Sequence, residues 1–169
     1  HVVGHRSKLM NFSPSEDHQA FAGLAAQILT ASASHERLRT VEAGDGPRFD
    51  RALWHEMVEA GLVSIAIPEA YGGAGQGFFE LSGIIEEVGR RTAPIPFLET
   101  TVFGALPIAR FGSEAQKQAL LPSAARGECI LTAALVEDLA DPERPTTRAE
   151  PDGDGFRQAQ SSSGAAVHR

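Results

Sequence analysis

The chain has 169 residues, 42% of them hydrophobic, and a formal net charge of −7 at pH 7. That is enough apolar material for one packed domain, or for one domain and the start of another. Arg90-Arg91 is the only adjacent basic pair in the body of this acidic chain, far short of the clustered cations that phosphate backbones require, so nucleic-acid binding is excluded.

No apolar stretch reaches the roughly 20 residues of a membrane span. No charged start followed by an apolar run marks a secretory signal. Cys129 is the single cysteine, so no internal disulfide forms; this fits a reducing, cytoplasmic setting. Its neighbours Ile130 and Leu131 predict a buried structural thiol.

Residues 1–9 look unlike the rest of the chain, and Met10-Asn11-Phe12 reads as a natural start, so 1–9 are expected to be a cloning remnant outside the fold. Ser13-Pro14-Ser15-Glu16 predicts a helix start, with Ser13 capping and Glu16 closing a capping box. Phe21, Leu24, Ala25, Ile28 and Leu29 recur at helical spacing to about residue 32. After the break at Gly44-Asp45-Gly46-Pro47, Asp50 predicts the cap of a second helix. That helix buries Leu53, Trp54, Met57 and Val58 and ends at Gly61.

Residues 62–67 are a short apolar run rich in β-branched side chains, stopped by Pro68, and "YGGAGQG" (71–77) is a loop. A third helix carries Phe78, Leu81, Ile84, Ile85 and Val88 on one face. Residues 100–111 predict a further helix with Pro107 as a kink or a break. Ser113-Glu114-Ala115-Gln116 is a capping box opening a short helix that Pro122 ends. Residues 13–126 therefore read as an all-helical unit.

After Gly127 the pattern changes. Residues 129–136 lack a helical period and predict a buried strand. Asp152-Gly153-Asp154-Gly155 predicts a turn between strands at 146–150 and 156–159. Two or three strands cannot bury a sheet face unaided, so residues 128–169 are expected to be the opening of a larger β domain plus a tail, following a helical domain over 10–127.

Motifs alone give no catalytic machinery. The 71–77 loop has Gly-x-Gly spacing but neither a full G-x-G-x-x-G nor G-K-[ST], so a turn that steers the third helix outweighs a phosphate cradle. His18, His35 and His55 lie on different segments without metal-ligand spacing, and no metal site is expected. Glu80, Glu86 and Glu87 sit on the third helix without the burial that would tune a general base, Glu86 and Glu87 read as its solvated face, and no G-x-S-x-G nucleophile occurs.

Two stretches carry a resemblance. "LWHEMVEAGLVSIAIPEAYGGAGQGFFELSGIIEEVG" (53–89) resembles the N-terminal helical domain of acyl-CoA dehydrogenases, with its helix, glycine, apolar run, Pro-Glu-x-Tyr-Gly-Gly and next helix. "FGSEAQKQALLPSAARGE" (111–128) resembles that family's Gly-[ST]-Glu-x-Gln-Lys, Leu-Pro and Gly-Glu signature. The resemblance covers about 12–136. It implies a mainly α fold, an N-terminal helical bundle domain followed by the start of the middle β domain.

The resemblance also implies FAD, an acyl-CoA substrate and α,β-dehydrogenation in lipid or steroid side-chain breakdown, in a homo- or hetero-oligomer, commonly a tetramer. The family's glutamate base lies in a C-terminal domain, so no catalytic residue maps onto this chain, which alone is expected to be inactive. The family's Ala-Leu-Thr-Glu-Pro segment lies against the flavin. It maps onto Ala134-Leu135-Val136-Glu137-Asp138, so flavin contacts are expected from the backbone of Leu135 and Val136, with Ala133 nearby.

Val136 stands where the family has Thr, and Asp138 where it has Pro. Leu139-Ala140-Asp141-Pro142 replaces Gly-Ser-Asp. Lost donors and added carboxylates imply a degraded FAD site, like that of the degenerate subunit in mixed dehydrogenase tetramers. Two alternatives stand beside this: a non-catalytic helical interaction module, and a self-sufficient dehydrogenase or oxidase of which this is one part.

Overall fold

The computed structural model describes residues 14–46, 48–133, 147–153 and 155–160. The chain divides into two units between Thr132 and Ala133.

The first unit is helical. α1 (Glu16–Ser32) is capped by Ser15, whose side chain accepts the His18 N–H. The expected cap, Ser13, lies outside the described residues. The observed cap is two residues on from it, and Pro14 precedes the helix instead of opening its first turn. Ala25 and Leu29 of α1 are fully buried, while Leu24 is turned to its exposed side.

α2 (His35–Ala43) is a helix the apolar pattern does not announce. It buries no residue and rests on its Ser34 cap, which accepts the Arg37 N–H. α3 (Arg51–Glu59) begins at the predicted Asp50 cap and buries Leu53, Trp54 and Met57. Gly61, at φ 74°, turns the chain out of it.

The β-branched run 62–67 forms consecutive turns rather than a strand. Its side chains still go inward: Leu62, Val63, Ile65 and Ile67 are buried. α4 (Phe78–Arg90) buries Leu81 and Ile84, but Phe78, expected on the same face, is exposed at the first turn. α1 and α4 pack closely where Gly83 makes room for His18. Ala25, Leu29, Leu53, Trp54, Met57, Leu62, Val63, Ile65, Leu81, Ile84, Ile95 and Phe97 form one core. Each large aliphatic or aromatic side chain removed from water there contributes about 1.5–3 kcal/mol.

The predicted helix with a proline kink is a π-helix, Glu99–Ala105, running into α5 (Leu106–Phe111). Pro107 has no N–H, and its ring conflicts with the carbonyl four residues back. The ladder widens before it, so that the Leu106 N–H bonds the Thr101 carbonyl five residues earlier.

α6 (Glu114–Ala125) opens with the predicted capping box, in which Ser113 and Gln116 satisfy one another's backbone N–H groups. Pro122 does not end it. A proline inside a helix costs about 3 kcal/mol. Burial of Leu121, Ala124 and Ala125 on either side offsets that, and α6 runs on toward Gly127, at φ 69°. These three residues join Ile67 and Ala105 in a second core.

The expected buried strand at 129–136 is not formed over the described part. Residues 129–133 have no ladder partner among the described residues; Cys129 is only half-buried and Ile130 is exposed. In the second unit, β1 (Thr147–Asp152) and β2 (Gly155–Gln160) pair antiparallel, with Asp152 opposite Gly155 around the predicted two-residue turn. Gly153 supplies the positive φ, 61°, that the turn requires.

Candidate functional site

The glycine loop fails as a phosphate cradle because its donors are spent. The N–H groups of Gly72, Gly73, Ala74, Gly75 and Gln76 bond the carbonyls of Glu69, Pro68, Ser64, Ile67 and Ile65 in turn. A Cβ on Gly73 would lie 2.5 Å from the Ser64 oxygen and collide with Ile67, so only glycine allows the loop to lie flat on the 62–67 turns. The loop is a clamp on buried backbone that would otherwise go unpaired.

The clamp ends at Tyr71, whose hydroxyl donates to Glu114 Oε2 at 2.8 Å. Lys117 Nζ donates to Glu114 Oε1 at 3.0 Å. Hydrogen bonds from Tyr71 and Lys117 hold the Glu114 carboxyl below its ordinary value. This network joins the Pro-Glu-x-Tyr-Gly-Gly stretch to the capping-box helix, so the two sequence signatures are in physical contact.

The segment that leads toward the expected flavin contacts is held at two points. Trp54 Nε1 donates to the Gly127 carbonyl at 3.1 Å, and a Cβ on Gly127 would collide with Val58 and sit 3.2 Å from the indole nitrogen. Farther on, Leu131 lodges against Gly104 of the π-helix. A Cβ on Gly104 would overlap the Leu131 side chain and come within 3.2 Å of its Cα. The notch holds Leu131, two residues before Ala133, against the helical unit. Neither Gly104 nor Leu131 stands out in the sequence; the signal available is a small residue three positions before a proline inside an apolar run.

Of the three expected flavin contacts, Ala133 is half-buried, while Leu135 and Val136 lie outside the described residues. With the glycine loop's donors spent, the flavin contact expected of this chain rests on the 133–136 backbone.

The other candidates have structural employment. Glu86 and Glu87 pair with Arg90, and Glu87 also with Arg91. Glu80 accepts the Ser15 hydroxyl at 3.3 Å. His55 is exposed; His18 lies half-buried with its ring 4.6 Å from Phe79. Among the described residues no group of three or more His, Cys, Asp or Glu could hold a metal ion, and no helix is long and apolar enough to cross a membrane.

A cleft of about 340 Å³ opens at the foot of the π-helix, lined by Arg48, Phe49, Pro94, Ile95, Pro96 and Glu99 among others. Thr100 and Thr101, next along the π-helix after Glu99, are buried at 1% and 2% exposure. Thr101 Oγ1 donates to the Phe97 carbonyl at 2.7 Å. Thr100 Oγ1 has no protein partner among the described residues.

Residues 15–128 match the family model described as "Acyl-CoA dehydrogenase, N-terminal domain". A curated relative, "Acyl-CoA dehydrogenase FadE27" of Mycobacterium tuberculosis, is 36% identical over 148 residues, covering 88% of this chain and 39% of its own length. Among solved structures, the "Tcur3481-Tcur3483 steroid ACAD G363A variant" is 43% identical with a TM-score of 0.80, covering 88% of this chain and 41% of that one. The ChsE4-ChsE5 complex of Mycobacterium tuberculosis is 35% identical with a TM-score of 0.80, covering 88% and 40%. The chain thus spans about two-fifths of the length of the curated relative and of these structures.

Proposed function

Because this chain belongs to the acyl-CoA dehydrogenase family, we propose that it is the helical portion of a flavoprotein subunit for α,β-dehydrogenation of acyl-CoA thioesters. In this reading it works in the cytoplasm and assembles with further dehydrogenase subunits, and the base comes from sequence outside this chain or from another subunit. The observation that carries it is the Gly104 notch holding Leu131, because Leu131 stands two residues before the segment expected to face the flavin. The backbone of Ala133, Leu135 and Val136 contacts the ring, and FAD, when bound, supplies the acceptor for the substrate hydride. The helical unit provides one wall of the acyl pocket.

Bulky thioesters such as steroid side chains are the proposed substrate class. The similarity to a solved steroid dehydrogenase and to a two-component complex supports both that class and a mixed assembly. Val136, Asp138 and Asp141 weaken the cofactor site. One missing hydroxyl removes about 0.5–1.5 kcal/mol, and the two carboxylates oppose the pyrophosphate. The chain therefore depends on a partner for tight flavin retention.

Co-expression with a catalytic dehydrogenase subunit is the test. The expected product is a yellow complex that oxidises acyl-CoA. A colourless, inactive preparation with every such subunit tried would leave the second reading, a helical interaction module that kept the fold and lost the chemistry. The carboxylates at 138 and 141 favour that alternative. It predicts no acyl-CoA binding by calorimetry.

A further inference from the structure

Arg37, Arg90, Arg91 and Arg126 each hold a carboxylate. Arg51, the first residue of α3, has no carboxylate partner among the described residues. Its guanidinium carbon instead lies over the Phe49 ring, 5.0 Å from the ring centre. His55 is four residues along α3, on the same side of the helix. It too has no hydrogen-bond partner among the described residues, and both side chains are exposed.

Arg51 and His55 line one cleft of about 260 Å³, between α3 and residues 127–130. The other polar side chains of its lining are spent. Trp54 Nε1 donates to the Gly127 carbonyl at 3.1 Å. The Glu128 carboxylate accepts two hydrogen bonds from Arg126, at 3.0 and 2.9 Å, which hold it below its ordinary value. Phe49 and Ile130 complete an apolar wall beside the indole. What remains free to a ligand is a guanidinium and an imidazole. An exposed arginine is ordinarily a flexible, solvated chain. The contact with Phe49 steadies this one, so less freedom is lost when an anion binds.

We propose that this cleft is a binding site for a phosphate monoester, with the Arg51 fork and the His55 imidazole as its donors. A guanidinium takes two oxygens of an anion side by side. A carboxylate has only those two, whereas a phosphate monoester keeps a third for a donor one helical turn away. Free phosphate and the 3′-phosphate of coenzyme A carry the same chemistry. The site does not depend on the dehydrogenase reading.

The experiment is calorimetry of the full chain with inorganic phosphate, acetate, coenzyme A and dephospho-coenzyme A. Fluorescence of Trp54, the only tryptophan, reports from the wall of the cleft in the same titrations. Phosphate is expected to bind, to change the Trp54 emission, and to bind roughly tenfold more tightly than acetate. Arg51→Gln is expected to weaken phosphate roughly tenfold and His55→Ala several-fold. Arg110→Gln, in a different groove, is expected to leave phosphate binding unchanged. All three positions are exposed, so the fold is expected to survive each substitution.

Phosphate binding together with a preference for coenzyme A over dephospho-coenzyme A supports the site and assigns coenzyme A as the source. Phosphate binding without that preference supports it with free phosphate as the ligand. No phosphate binding by either measurement overturns the proposal. So does acetate binding as tightly as phosphate, or phosphate binding that survives both Arg51→Gln and His55→Ala. None of these results bears on the co-expression test of the dehydrogenase reading.

Discussion

Arg37 and Asp50 meet through two parallel hydrogen bonds, Nε to Oδ2 at 2.7 Å and Nη2 to Oδ1 at 2.8 Å. The pair fastens α2, which has no buried residue of its own, to the cap of α3. Asp50 Oδ1 also accepts the Leu53 N–H, and the Asp50 N–H donates to the Pro94 carbonyl at 2.7 Å. Burial raises the Asp50 carboxyl, but the Arg37 hydrogen bonds and the Leu53 N–H outweigh it and hold the group below its ordinary value.

That lowered value sets the sign of the pH dependence. Asp50 binds its proton less readily folded than unfolded, so its stabilisation is complete above the ordinary carboxylate range, near pH 4, and fades as pH falls through the lower folded value. Asp50→Asn keeps a capping side chain and removes the charge. It is expected to cost about 1 kcal/mol at neutral pH, discounted because Arg37 is a third exposed and also lies near Glu56. Urea unfolding of both proteins from pH 7 to about pH 3 is expected to show the gap closing on the acid side; a gap independent of pH would mean that the ion pair does not stabilise the fold.

Tyr71 is the only tyrosine in the chain, so phenolate absorbance reports on it alone. Its hydrogen bond to Glu114 holds the phenol above its ordinary value. An alkaline titration is expected to show a midpoint above about 10, and Glu114→Gln to bring it down. Identical titrations in the two proteins would mean that the contact between the two signature stretches does not persist in solution.

The Gly104 notch makes a prediction about coupling rather than a single loss. Gly104→Ala places a methyl group where Leu131 already sits. Overpacking of this kind costs about 1–3 kcal/mol. Removing the Cβ that the new methyl would strike, with Leu131→Gly, is expected to relieve the worst of the overlap, so the Gly104→Ala penalty shrinks in that background. Chemical denaturation of the four proteins in a double-mutant cycle measures it. Additive losses would show that the two residues do not touch.

Much of the helical unit is legible in the sequence because its signals are local. Asp50, the Ser113–Gln116 box and the apolar faces around Leu29, Met57 and Leu81 declare themselves by type and spacing. α2 is missed because a helix without a buried stripe has no period to read. Pro122 misleads because burial on both sides outweighs a lost backbone donor. The 62–67 run looks strand-like because its β-branched residues are buried, yet its carbonyls are claimed by a glycine loop whose partners become visible only in three dimensions. The candidate site obeys the same rule. Ala133, Leu135 and Val136 are reached through a motif, whereas Gly104 and Leu131 acquire meaning only from what lies beside them.

The cofactor segment itself is open to repair. If the Val136 backbone faces the flavin, Val136→Thr restores a hydroxyl whose hydrogen bond contributes about 0.5–1.5 kcal/mol, which corresponds to roughly two- to tenfold tighter flavin binding. On the same premise, Asp138→Ala and Asp141→Ala remove charges that would oppose the pyrophosphate, and their benefit is expected to be largest at low ionic strength, where screening is weak. Flavin titration of the co-expressed complex, monitored by absorbance at two salt concentrations, separates the effects. Val136→Thr should tighten binding equally at both, and the aspartate variants chiefly at the lower. No gain from Val136→Thr would mean that the segment does not present this position to the ring, and the assignment of Leu135 and Val136 as flavin contacts would fail with it.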